Sequence, residues 1–115
     1  MRTDAQRKKG LEYTLRWNKN NPDKLKRIRR ASKLKRLFGI TQAYYDELLQ
    51  YQKGKCKVCG KKMHKPVVDH SHTSGKVRSL LCSNCNVGIG MFQEDTSILR
   101  EAIAYLEGYN SDRNL

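Results

Sequence analysis

Four cysteines stand as two Cys-x-x-Cys pairs, Cys56/Cys59 and Cys82/Cys85, with 22 residues between them. Each pair presents two sulfurs from one tight turn, and two such turns complete a tetrahedron. The spacing therefore predicts a closed structural zinc site that supports folding and takes no substrate. Between the pairs lies Asp69-His70-Ser71-His72, and Asn86 follows the last cysteine. A structural zinc module does not require these residues. Phosphodiester cleavage does: it needs hard oxygen ligands for a cation, a base for the attacking water, and neutralisation of charge at phosphate. Asp69 and Asn86 are the candidate oxygen ligands for Mg²⁺ or Mn²⁺. His70 is the candidate base, histidine being the side chain that changes charge nearest neutral pH. His72 has the parity of His70 and is read either as a contact to the scissile phosphate or as a turn hydrogen bond. Arg78 is read as a phosphate contact or a surface arginine. His64, in a Lys-rich turn, is given no role.

The elements that must position these groups are legible from pattern. Residues 66–70 read as a short strand, 71–76 as a turn and 77–81 as the returning strand. Adjacent residues of a regular strand face opposite sides, so Asp69 and His70 can serve one ion only if the strand ends, bulges or twists there. Cys82 to Met91 holds the second cysteine turn and a helix start. Asp95 or Thr96 then caps a last helix whose Ile98, Leu99, Ala102, Ile103 and Leu106 read as core, with Gly108 beyond its end.

Upstream, residues 1–20 are polar, and Leu11, Tyr13, Leu15 and Trp17 form either a weak helical stripe or a segment that orders on its partner. Trp17 is expected to anchor this arm against the body. Asn21-Pro22 starts a helix, with Asn capping the free amides and Pro at the first position. Leu25, Ile28, Ala31, Leu34, Leu37 and Phe38 recur at helical spacing up to Gly39, which suits a left-handed ending. Lys24, Lys26, Arg27, Arg29, Arg30, Lys33, Lys35 and Arg36 fill the positions between. Thr41 caps a further helix that Gly54 ends, and its Tyr44 and Tyr45 are expected to pack against the metal module.

The chain has 115 residues, a net charge of +13 and 37% hydrophobic residues. It is too small and too polar for a large core, so a bound metal would help it fold. Residues 1–55 carry 16 Lys/Arg and 5 Asp/Glu, and residues 56–115 carry 8 and 6. The basic first part, with Arg27, Arg29, Arg30, Lys33 and Arg36, reads as the grip on a nucleic acid. The expected division is residues 1–37 as a basic arm and 38–115 as the zinc-containing unit. No signal peptide or membrane span is visible, so a reducing cytoplasm is expected, where paired cysteines bind metal rather than form disulfides. A rival reading of the same charge and cysteines is a non-catalytic zinc module that binds DNA or RNA. It leaves Asp69, His70 and Asn86 unexplained.

The run CKVCG…VVDHSHTSGKVRSLLCSNCN, residues 56–86, resembles the HNH or ββα-metal (His-Me finger) endonucleases, and among them the phage recombination endonuclease VII family. Residues 38–56 are similar to the helix leading into that family's first cysteine pair. The resemblance covers about residues 37–107. It implies an α+β fold: a small zinc-stapled ββα-metal domain with flanking helices and a basic N-terminal helical arm. By position it implies Asp69 and Asn86 as magnesium ligands, His70 as general base, His72 at phosphate or leaving group, and the four cysteines on structural zinc. It also implies double-stranded DNA as partner, branched DNA among the substrates, and a host cytoplasm for a phage-encoded protein; monomer and homodimer both stay open. Ser79 departs from the family's usual glycine, and Ile89 stands where some members carry an acid one turn past the Asn. The chain also stops soon after Leu106, short of the helical extension with which junction-resolving members dimerise.

Overall fold

In the computed structural model, which describes residues 1–111, the chain divides into two units, Met1–Asp46 and the residues from Glu47 onward. The division falls within a helix, later in the chain than the sequence boundary at residue 37.

The first unit holds α1 (Asp4–Asn20), α2 (Pro22–Phe38) and the start of α3 (Gln42–Tyr51). Helix α1 begins with a capping box: the Thr3 hydroxyl accepts from Gln6 N, and the Gln6 side chain accepts from Thr3 N at 2.8 Å. None of its residues is buried, although Trp17 is half-buried. Asn21 does not cap α2 with its side chain. Its backbone is not extended (φ −133°, ψ 57°), and Nδ2 instead donates to Trp17 O at 2.8 Å, closing the end of α1. Pro22 takes the first position of α2, where its missing N–H costs nothing. Of the predicted apolar stripe, Leu34 is buried and Leu25, Ala31 and Phe38 half-buried, while Ile28 and Leu37 are exposed. Gly39 ends α2 at φ 69°, its N–H donating to Lys35 O. The Thr41 hydroxyl accepts from Tyr44 N at 3.1 Å and so caps α3. Tyr45 is buried, and what lies on its ring is the Arg30 guanidinium of α2, 4.8 Å from the ring centre. Tyr44 is exposed.

The second unit is built on an antiparallel pair, β1 (Val67–His70) and β2 (Val77–Leu81), followed by α4 (Ser83–Met91) and α5 (Thr96–Ser111). Its small core consists of Cys56, Met63, Val68, Leu80 and Leu81. Between α3 and β1 the chain forms a short ribbon: Lys55 bridges Lys62, Cys56 N donates to Lys61 O, and Met63 N donates to Gly54 O. The Gln52 side chain fastens this ribbon to the sheet. Its Nε2 donates to Leu80 O at 2.8 Å and to Lys55 O at 2.9 Å, and its Oε1 accepts from Leu80 N at 2.9 Å. Helix α4 packs against β1.

Helix α5 corrects two expectations. It runs through Gly108 rather than stopping before it, because a glycine inside a helix costs only about 1 kcal/mol and is no stop signal by itself. Its apolar residues are also not core: Leu99 and Ala102 are half-buried, whereas Ile98, Ile103 and Leu106 are exposed. Asp95 is the capping residue, its Oδ1 accepting from Ser97 N and Ile98 N. Those bonds, with that from the Ser97 hydroxyl foremost, hold the Asp95 carboxyl below its ordinary range.

Candidate active site

The cysteines come together as their spacing predicts. The four sulfurs of Cys56, Cys59, Cys82 and Cys85 all lie within 4.8 Å of one another, and Cys59 Sγ is 3.9 Å from Cys82 Sγ. Bonds of about 2.3 Å to a tetrahedral zinc put sulfurs roughly 3.8 Å apart, so the cluster fits that ion. The first pair sits on a tight turn in which Gly60 N donates to Cys56 O; the second starts α4, where Cys82 Sγ accepts from Cys85 N. Burial pushes the Cys56 thiol up, but hydrogen bonds from the Cys82, Cys59 and Val58 backbone and from the Cys59 side chain outweigh it, leaving it at about 6. Cys85 moves the other way, to about 12, through its hydrogen bond to Cys82, its burial, and further bonds to Cys56 and Cys59. A cation bound here would take thiolates, so its binding would displace the thiol protons that remain.

The strand pairing is irregular between Asp69 and His70. Asp69 pairs with Ser79 but His70 with Val77, so Arg78 is the extra residue of a bulge on β2. A bulge frees one residue from the ladder and bends the strand, re-aiming its side chain. Arg78 turns to the buried Asp69, with Nε donating to Oδ2 at 2.7 Å and Nη2 to Oδ1 at 2.9 Å. Nη2 also reaches His70 O at 3.4 Å and Glu94 Oε1 at 3.0 Å. The bond to Asp69 first, then that to Glu94, holds the guanidinium charge well above arginine's ordinary range, against the effect of burial. Arg78, expected to meet phosphate or lie free on the surface, is thus engaged by two carboxylates. No pattern in the sequence singles out Glu94, which follows α4 outside any motif.

The two candidate histidines lie together on the hairpin, their ring centres 5.2 Å apart. His72 is the more exposed, and its Nε2 is 3.3 Å from Glu94 Oε1. The turn carrying it is set by Ser71, whose Oγ accepts from Thr73 N and Ser74 N and whose N–H donates to Lys76 O. Asn86 is half-buried in the first turn of α4, the helix packed against β1. His64 is exposed on the ribbon. On α2, Arg27, Arg29, Lys33 and Arg36 are exposed, while Arg30 is also the residue stacked on Tyr45.

The chain is 38% identical over 73 residues to the Gene 59 protein of Mycobacterium phage D29, and 36% identical over 73 residues to that of Mycobacterium phage L5. Each match covers 60% of this chain and 44% of the relative, so the chain spans less than half the length of these proteins. Among solved structures it is similar to a ββα-Me type II restriction endonuclease, Hpy99I, at 24% identity and a TM-score of 0.46, covering 68% of this chain and 48% of that one. The sequence profile of recombination endonuclease VII matches residues 31–108. That span takes in both cysteine pairs, the bulged hairpin and α4, and the chain belongs to the recombination endonuclease VII family.

Proposed function

We propose that this protein is a metal-dependent DNA endonuclease of the HNH type that hydrolyses phosphodiester bonds. One observation carries the reading: the bulge at Asp69/His70 lies on a hairpin against which α4, the helix bearing Asn86, is packed. Asp69 and Asn86 are the residues that would hold Mg²⁺ or Mn²⁺, which when bound supplies charge neutralisation at the phosphate and the departing oxygen. Asp69 retains capacity for this role. A carboxylate offers about four lone-pair sites, and the Arg78 fork uses two of them. Asp69, Arg78 and Glu94 together carry a formal charge of −1, which favours a cation.

His70 takes the proton of the attacking water as its oxygen closes on phosphorus, and the 3′ oxygen departs from the opposite side. His72 meets the phosphate or the leaving group. The basic residues of α2 grip the DNA backbone. Incubated with supercoiled plasmid, linear duplex and a four-way junction, the protein should cleave DNA in the presence of Mg²⁺ and stop when EDTA is added. Intact substrate after incubation with folded, zinc-loaded protein would reject this reading.

A second reading, a non-catalytic zinc module that binds DNA or RNA, draws on the engagement of both Asp69 oxygens by Arg78. It predicts binding without cleavage in the same experiment.

A further inference from the structure

Asp69, Arg78, Glu94 and His72 form one continuous line of polar contacts. Arg78 Nη2 donates to both carboxylates, and the Glu94 oxygen that receives it also lies 3.3 Å from His72 Nε2. Glu94 belongs to no regular element. It lies in the link between α4 and α5, where Gln93 and Glu94 are both left-handed, at φ 58° and 56°. Residues other than glycine rarely adopt this conformation, and two in succession persist only where surrounding contacts dictate them. Here Gln93 N donates to Gly90 O, Glu94 N to Ile89 O and Asp95 N to Phe92 O, which fixes the link onto the end of α4. The Glu94 side chain is 21% exposed, and that of His72 72%. The carboxylate is therefore the anchored partner, and the imidazole stands at the tip of a hairpin turn. A cleft of about 330 Å³ opens beside them, lined by His72, Thr73, Gly90, Gln93 and Glu94.

We propose that Glu94 is a positioning residue for the cleavage reaction, a role that rests on the nuclease reading. Its one oxygen serves two groups: it holds Arg78 in register with Asp69, and it turns the His72 ring to present an edge to the cleft. The backbone cost of the Gln93–Glu94 link is borne at the one place that delivers a carboxylate to both. A group entering the cleft meets His72 already oriented. Without Glu94, the His72 ring is guided by its neighbour His70, and Arg78 is held from the Asp69 side alone.

The test is a mutant cycle on plasmid cleavage with Mg²⁺, using Glu94→Ala, the near-isosteric Glu94→Gln, His72→Ala and the double variant Glu94→Ala/His72→Ala. Positioning predicts that Glu94→Ala lowers kcat by about ten-fold or more with KM within about two-fold, and that the double variant is no slower than the slower single variant within about two-fold. Glu94→Gln, which keeps an acceptor but not the charge, should fall between wild type and Glu94→Ala. The His72 imidazole nitrogen shifts should move in Glu94→Ala, while zinc content and thermal midpoint stay at wild-type values. Wild-type kcat in Glu94→Ala, losses that multiply in the double variant, or a loss that merely tracks lost zinc or fold would each overturn the proposal. An active wild type with indifferent Glu94 variants removes this role alone. A wild type that cleaves nothing removes the nuclease reading and this role with it.

Discussion

Arg78 faces water on one side, yet its guanidinium is shared between Asp69 and Glu94, with the His70 carbonyl at the edge of reach. A lysine there would bring its three donors on a single atom and could not lay two parallel bonds on the carboxylate, whereas the planar fork of arginine meets both oxygens of Asp69 and still has a donor for Glu94. The cysteine cluster shows the same division of labour among neighbours, since one thiol is brought down to about 6 and another raised to about 12. Zinc binding requires thiolates, so Cys56, brought down to about 6, has little proton left to give well above that pH, whereas Cys85, raised to about 12, must still lose one. Zinc affinity should therefore rise with pH across the neutral range, and fall more steeply below pH 6 as Cys56 also protonates. Titrating zinc into reduced, metal-free protein at pH 8 in weak buffer should release at least about one proton per zinc; no release would contradict binding through thiolates that were protonated beforehand. At this scale the cysteine cluster was legible because the residue type and the spacing carry metal chemistry by themselves; the same kind of signal is what singles out His70, His72, Asp69 and Asn86 as candidates. Glu94 was not legible, because its contact with Arg78 depends on a left-handed link bringing it 16 residues back along the chain.

The elements were legible where a local signal fixed them. Thr41, Gly39 and Asp95 end or begin helices through hydrogen bonds to residues no more than four positions away. An irregularity at Asp69/His70 was expected as an end, a bulge or a twist of the strand; the pairing shows a bulge, and nothing in the sequence marked Arg78 as its extra residue. Other elements were less legible because tertiary placement outweighed pattern. Asn21 has the right type for capping α2, but its side chain turns back to the end of α1 instead. The apolar stripe of α5 has a core-like period, yet burial needs a partner surface, and only Leu99 and Ala102 are even half-covered. Gln52 reads as an ordinary polar residue at a helix end. Its value lies 28 positions away, where it pairs with both backbone groups of the fully buried Leu80. Buried backbone groups must be satisfied, and here the Gln52 side chain does so, with Lys57 N also donating to Leu80 O at 3.3 Å.

For the molecule as a whole, charge is divided along the chain. Met1–Asp46 holds 14 Lys/Arg against 4 Asp/Glu, net +10, and the remaining residues contribute net +3. No helix among the described residues is long and apolar enough to cross a membrane. A dense positive surface on exposed helices fits a polyanion bound through its phosphates. Replacing Arg27, Arg29, Lys33 and Arg36 together by Gln should weaken DNA binding. The slope of log K against log salt should become shallower by about 0.9 for each duplex phosphate that the protein no longer neutralises. An unchanged slope would place the grip elsewhere. Arg30 is left out of that set because it also covers Tyr45.

The proposed role of the bulged hairpin is that of a cleavage centre in which the His70 imidazole deprotonates water. It is tested most directly by comparing wild type and His70→Ala on supercoiled plasmid with Mg²⁺. Zinc content and thermal unfolding are to be measured on the same samples. Nicking by wild type is expected, with a loss of about 100-fold or more in the variant while zinc content and unfolding stay unchanged. Equal nicking by a folded, zinc-loaded His70→Ala protein would contradict it.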